Sequence, residues 1–322
     1  MMAETVAKRK WNVINFRSQK QLFSTFSGLF LLGLVFTFLS PYFFSVHNLL
    51  TVATQTAVIA IIAIGQTYVL ITGGIDLSIG SNIALAGMIS GLCMQASVPV
   101  PIAIIAGLFT GMVSGAVGGS LVAFARIPPF IATLGTMTIA RGVALTLTQA
   151  IPISGLPKSF TQFGTESTLG IPNPVIIMVL LVIIFGFILG KTKLGRHIYA
   201  TGSNFEASRL SGVNTKKVIL AVYIFSGLLA AFAGLIMAGR IISAQPTAGD
   251  GYELDAVASS VIGGTSTMGG EGTAAGTFIG AFVIGVLRNG LNLVGVSPFI
   301  QKIVIGLVIV GSVFLDRIQR KE

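Results

Sequence analysis

Residues 181–190 read LVIIFGFILG, ten positions without one charged or hydrogen-bonding side chain. Comparable runs recur along the chain. A helix needs about 20 apolar residues to cross a hydrocarbon core roughly 30 Å thick. A membrane barrel would alternate apolar and polar residues over short strands, and these runs do not alternate. The fold class read from them is all-α, a polytopic helical membrane protein. Composition supports this reading: 9% of the 322 residues are charged, 53% are hydrophobic and the mean hydropathy is +0.90. Soluble domains carry about 25% charged residues, so a water-soluble enzyme is excluded.

Ten segments read as apolar helices: 22–40, 49–72, 78–96, 100–124, 130–149, 173–190, 218–239, 254–266, 273–292 and 298–315. The eighth is too short to cross alone and reads as a re-entrant or broken helix packed inside the bundle. The chain divides into an N-terminal segment (1–21), one transmembrane domain (22–315) with a long loop at 191–217, and a tail (316–322). The polar start, MMAETVAKRKWNVINFRSQKQ, precedes an apolar run too long for a signal peptide and shows no cleavage site. Cys93, the single cysteine, cannot form an internal disulfide.

The net charge of +10 does not indicate nucleic acid, because the basic residues sit in short connections beside apolar runs. Placing both termini in the cytoplasm gathers Lys8, Arg9, Lys10, Arg17, Lys20, Arg126, Lys191, Lys193, Arg196, Arg209, Lys216, Lys217, Arg317, Arg320 and Lys321 on the inside. That is fifteen of the twenty Lys and Arg, as the positive-inside bias requires. The expected location is a bacterial inner or plasma membrane, crossed many times. Gly107, Gly111, Gly115 and Gly119 repeat every four residues, with Gly276 and Gly280 doing the same later. Such faces let a neighbouring backbone approach closely.

Asp76 is the only acidic residue between Glu4 and Glu166. It stands in TGGIDLSIGS, between two apolar runs, where a carboxylate at a helix centre would cost about 2.5–3.5 kcal/mol on insertion scales. Gly73 and Gly74 end one helix, and Asp76 or Ser78 can cap the next. A second stretch, YELDAVASSVIGG, again opens a short helix with an acid, Asp255. In this topology the two acids enter from opposite faces, as in inverted repeats whose broken helices meet near a substrate path. Each can cap a helix or face the path. Further polar residues fall within spans: Gln66, Asn82, Arg141, Ser259, Ser260, Arg288, Asn289 and Asn292. They can bridge helices or meet a hydroxyl-rich solute. The candidate path comprises Gln66, Asp76, Ser78, Asn82, Asp255, Ser259, Asn289 and Asn292.

Catalytic motifs fail on inspection. GFILGKT, residues 186–192, has one residue too few for a phosphate loop, since Phe185 stands where the glycine belongs. GEGTAA, residues 270–275, lacks the strand–turn–helix setting of a dinucleotide site. His47 and His197 fall at opposite faces and cannot share a metal. No catalytic residue, metal or cofactor is expected, so any energy must come from a partner or an ion gradient.

The loop KTKLGRHIYATGSNFEASRLSGVNTKK, residues 191–217, reads at its end as a short amphipathic helix with Ala207, Leu210 and Val213 on one side. It suits either a docking partner or the headgroup region. LGRHIYATGSN and EASRLSGVN in this loop resemble the coupling region of sugar-type ABC transporter permeases of the ribose permease kind. TGGIDLSIGS, SAQPTAGDGYELDAVASSVIGGTSTMGGEGT and NGLNLVGVSPFIQKIVIG resemble the same family, in the same order, from about residue 40 to the C-terminus. The resemblance implies a homo- or heterodimeric membrane pore, a cytoplasmic ATPase docked on the loop, and an extracytoplasmic sugar-binding protein. It assigns ATPase coupling to Gly195, Arg196, Tyr199, Gly202, Asn204, Glu206, Ala207, Ser211 and Gly212. Ala207-Ser208 departs mildly from the family's usual Ala-Ala or Ala-Thr. Ribose is the first expectation for cargo, then xylose, galactose, allose, a furanose or an autoinducer-type sugar. An ion-coupled secondary transporter of a neutral polar solute is the alternative, and a passive channel the third reading.

Overall fold

The computed structural model describes residues 22–319. The N-terminal segment 1–21, with Lys8, Arg9, Lys10, Arg17 and Lys20, lies outside the described residues, as do Arg320 and Lys321. Thirteen helices are present among those described: α1 (Leu22–Leu39), α2 (Val46–Ile71), α3 (Ile79–Gln95), α4 (Val100–Ala123), α5 (Pro129–Thr146), α6 (Lys158–Thr165), α7 (Asn173–Lys191), α8 (Lys193–Ser203), α9 (Phe205–Leu210), α10 (Thr215–Ile241), α11 (Tyr252–Ile262), α12 (Ala274–Leu293) and α13 (Pro298–Gln319). Six are long and apolar enough to cross a bilayer: α1, α2, α4, α7, α10 and α12. The protein is a polytopic helical membrane protein. All ten segments expected from the sequence are helices, with ends within a few residues of expectation.

The centre of the bundle is α2 lying antiparallel to α10. Thr54 meets Arg240, Gly65 meets Ser226, and Gly74 meets the Tyr223 hydroxyl, so rising numbers on α2 match falling numbers on α10. Both helices are followed by irregular chain that turns back into the bundle. Thr72 to Ser78 follows α2, with Gly73 at φ 81°. The stretch after Ile241 follows α10, with Gly249 and Gly251 at φ 72° and 80°. Non-helical backbone at membrane depth is tolerated only inside protein, and Asp76 here is fully buried, with Ile75 partly so.

From these turns α3 continues alongside α10, with Ile83 at Gly234 and Gly91 at Ala244. Likewise α11 continues alongside α2, with Ser260 at Ala63 and Thr67. The two broken segments therefore enter from opposite ends of the α2–α10 pair, and their helix starts meet where Gly80 touches Gly249 and Glu253. The correspondence extends outward. Helix α4 packs antiparallel on α10, and α12 packs antiparallel on α2. Helix α5 leans on α3, and α13 on α11. An approximate two-fold relation thus exchanges α2–α5 with α10–α13.

The glycine faces do what their spacing predicts. A methyl on Gly111 would collide with the Gly227 carbonyl, and one on Gly115 with the Tyr223 carbonyl. Gly276 and Gly280 meet Gly263 and Ser259 of α11 in the same way. The sequence reading left 150–172 as a connection. Here it forms α6 and two short antiparallel pairs, β1 (Ile153–Ser154) with β4 (Ser243–Ala244) and β2 (Ser167–Thr168) with β3 (Ile171–Pro172). These cover the end of the bundle where α10 finishes.

Candidate translocation path and loop surface

Asp76 owes its place to the chain break before it. With α2 ended at Ile71, the extended segment carries the carboxylate inward to the level of Ser226, mid-way along α10. One oxygen accepts from the Ser78 N–H (2.9 Å) and the Ser78 hydroxyl (2.6 Å). The other accepts from the Ser226 hydroxyl (2.7 Å). The chain of polar contacts continues: Asn82 donates to Ser78 Oγ (3.1 Å) and accepts from Ser114 (2.5 Å) on α4. Asp76, Ser78 and Asn82 therefore form one buried network that anchors the start of α3. Ser78, expected as an alternative cap, occupies the N-cap position without a side-chain cap bond of its own. Ser226 and Ser114 were not singled out from sequence, since a lone serine in an apolar run carries no distinguishing signal.

Asp255 has a different partner. Arg288 of α12 grips both its oxygens, at 2.9 and 2.6 Å, with the Asp side chain 1% exposed and the Arg 35% exposed. The Tyr252 ring lies 5.9 Å from the guanidinium. The two acids are compensated differently, Asp76 by hydroxyls ahead of α3 and Asp255 by a cation within the first turn of α11. Arg141 reaches from α5 to the Pro246 and Ala248 carbonyls, both at 2.9 Å. It holds the second broken segment from outside.

The remaining path candidates separate. Asn289 exchanges two bonds with Asn48 of α2, at 2.9 and 3.0 Å. Asn292 is exposed at the end of α12 and accepts from Gln301 (3.3 Å). Ser260 joins Thr67, which also meets Thr277. Gln66 is fully buried, and neither amide atom has a partner; the Ser259 hydroxyl is buried and unpaired as well. Those two side chains make no bond at all, whereas Asp76 accepts three and Asp255 two.

Two clefts among the described residues open to the surface near the candidate residues. One, of about 440 Å³, lies among α3, α4 and α5 and is walled by Phe109, Val113, Val117, Ile131 and Ile139. Its hydroxyls, Thr110, Ser114 and Thr136, point their hydrogens back into the protein, to Ala106, Asn82 and Ala132. It suits a lipid chain and offers little to a sugar. The other, of about 350 Å³, is lined by His47, Leu50, Thr51, Thr54, Gln55, Pro172 and Arg240. It lies at the end of α2 opposite α8.

The 191–217 loop folds as two helices where one was expected. Thr192 caps α8 through the Gly195 N–H (3.2 Å), and Asn204 caps α9 through the Ala207 N–H (2.9 Å). Gly195, Ile198 and Thr201 form the buried face of α8. A methyl on Gly202 would strike the Ile71 carbonyl, and Gly270 N–H donates to that same carbonyl (2.8 Å). The Tyr199 hydroxyl donates to the Gly272 carbonyl (2.6 Å), and burial pushes its pKa up to about 12. Of the expected apolar side, Ala207 and Leu210 are exposed on α9, Leu210 by 78%, while Val213, beyond the end of α9, packs against the core. Six residues are too short for a stripe to form a face. Arg196, Asn204, Glu206, Ala207, Ser211 and Gly212 are exposed, and Glu206 pairs with Arg209 at 2.8 Å. His47 and His197 stand at opposite ends of the bundle, as expected, and among the described residues no cluster of His, Cys, Asp and Glu could hold a metal.

Residues 48–313 match the family described as branched-chain amino acid transport system / permease component. The chain is 46% identical to the ribose import permease protein RbsC of Bacillus subtilis, covering 94% of this chain and 95% of that one. It is 44% identical to the ribose import permease protein RbsC of Escherichia coli, over 98% and 99%. It is 39% identical to the D-allose transport system permease protein AlsC of E. coli, over 93% and 92%. No solved structure matches.

Proposed function

Since the chain belongs to the permease-component family of the branched-chain amino acid transport system, we propose that it forms the membrane path of an ABC importer for a monosaccharide, ribose first, driven by a separate ATPase. The observation that carries this is the pairing of 44–46% identity to ribose permeases over nearly the whole chain with a helical bundle whose broken helices meet at its centre. Such meetings are where transporters of this general construction hold their solute.

The α8 end is cytoplasmic in this reading, because Arg126, Lys191, Lys193, Arg196, Arg209, Lys216 and Lys217 gather there. Both termini then face the cytoplasm. The ATPase docks on the exposed residues Arg196, Asn204, Glu206, Ala207, Ser211 and Gly212. Gly195, Tyr199 and Gly202 act from the opposite face of the same loop, as its attachment to the bundle. That attachment touches both halves at once. Gly202 abuts the end of α2, which leads into the first broken segment, and Tyr199 holds Gly272, in the connection that follows α11. A push on α8 therefore reaches both broken helices. Two such permeases, identical or different, enclose the path. An extracytoplasmic binding protein delivers sugar, and nucleotide-driven closure of the ATPases turns the cavity from inward- to outward-facing.

A strain without its own pentose permeases, given this chain with its cognate ATPase and binding protein, tests the cargo. Saturable uptake of labelled ribose is expected, with allose and xylose as weaker competitors. Uptake of none of the three would overturn the assignment. Sodium or proton dependence without ATP would instead favour the ion-coupled carrier.

A further inference from the structure

The cleft among α3, α4 and α5 is apolar along its length and charged at one end. Phe109, Ile131 and Ile139 in its walls are each more than half exposed. From Leu121 back to Phe109 it follows α4 for twelve residues. That is a rise of about 18 Å, close to one leaflet of a hydrocarbon core roughly 30 Å thick. Gly135 of α5 also lines it, with nothing within 4 Å of where a β-carbon would stand. The groove is therefore open, narrow and one leaflet long, the shape of a single acyl chain.

The charge sits where α4 finishes. Ile127 belongs to the cleft, and Arg126 just before it is exposed. Lys216, in the first turn of α10, is exposed as well, and its ammonium lies 5.8 Å from the Phe124 ring centroid. Neither cation takes part in an ion pair among the described residues, where the pairs are Glu206–Arg209 and Asp255–Arg288. The chain offers no acid nearby in sequence either, since none stands between Asp76 and Glu166. Basic residues at the end of a groove between membrane helices attract anionic lipid headgroups. A second copy of the chain fits this end less well. Copies related by an axis along the membrane normal carry Arg126 and Lys216 at one depth, so a partner seated here brings like charges together.

We propose that this cleft is a binding site for one anionic phospholipid. Its acyl chain lies along α4 and α5, covering Phe109, Ile131 and Ile139, and Arg126 and Lys216 hold its phosphate. The headgroup supplies the negative charge that this end of the bundle lacks.

The full-length chain in a neutral detergent tests it, titrated with dioleoyl phosphatidylglycerol or dioleoyl phosphatidylcholine and read by native mass spectrometry and by Tm. The wild-type chain should retain phosphatidylglycerol about tenfold more than phosphatidylcholine, and its Tm should rise with the first lipid only. Arg126→Gln with Lys216→Gln should bring the two lipids to equal retention and leave the lipid-free Tm unchanged. Gly135→Leu fills the groove while both cations stay in place, and should lower phosphatidylglycerol retention about tenfold. Gly135→Val serves if the leucine variant does not elute as folded protein. Dihexanoyl phosphatidylglycerol, with the same headgroup on short tails, should leave Tm unchanged. Equal retention of the two long-chain lipids by the wild-type chain would overturn the proposal. So would full phosphatidylglycerol retention in the folded double variant or the folded Gly135 variant, or a Tm rise with the short-tailed lipid, which would make this a phosphate site. A thiol cross-link between two copies through Ile139→Cys, in a Cys93→Ala background, would seat a partner in the groove and overturn it too.

Discussion

Asp76 shows how a single residue's role follows from its bonds. Three donors from Ser78 and Ser226 consume its oxygens, so it anchors the start of α3 and has little left for a passing solute. Asp76→Asn keeps the shape and can still pair with both serines; it should retain ribose uptake within about threefold. Asp76→Leu strands buried hydroxyls at about 1–3 kcal/mol each, and thermal unfolding of the solubilised protein should show a clear fall in Tm. Loss of uptake by Asp76→Asn at unchanged Tm would move the acid into the path. Asp255 is the buried member of its ion pair while Arg288 stays 35% exposed, so removing the acid should cost less than the about 3–5 kcal/mol of a fully buried pair, yet more than a surface pair. Asp255→Ala should be poorly folded, and Asp255→Leu with Arg288→Met should recover much of the loss in the same assay. Tyr199 gives the pH signature of the loop. Its pKa is raised from 10.0 to about 12 by burial, so its hydrogen bond to Gly272 is present below pH 10. The stability it contributes is lost as pH climbs from about 10 towards 12. Tyr199→Phe should remove that portion of the alkaline fall in Tm and leave the curve below pH 9 flat.

At the level of elements, the four-residue glycine spacing governs the close approach of α4 to α10. Gly115 faces the Tyr223 backbone across α4 and α10. Gly115→Val should separate the helices and abolish folded protein on size exclusion, whereas Gly135→Val, with open space beside it, should elute normally. These contacts, and nearly every span, were legible beforehand because apolar length and glycine spacing are local properties. The break at Gly73-Gly74 was legible for the same reason. Partner choice was not. Nothing in the local pattern tells that Asp255 meets Arg288 while Asp76 meets Ser226, or that Asn48 closes on Asn289, since each pairing joins distant segments. The 191–217 loop was legible in part: its end is the short helix α9 with Leu210 exposed, but the caps Thr192 and Asn204 divide the segment into two helices, and α8 was not foreseen.

On the scale of the whole molecule, the two-fold exchange of α2–α5 with α10–α13 makes the bundle a pair of opposed wedges, and α8 touches both. The proposed function makes the chain a path that a separate engine moves. Purified protein in liposomes, assayed for labelled ribose entry with and without the cognate ATPase, the binding protein and internal ATP, measures that dependence directly. The account predicts entry against a gradient only when all three are present, with the permease alone no better than empty liposomes. Concentrative entry by the permease alone, driven by an ion gradient, would contradict it.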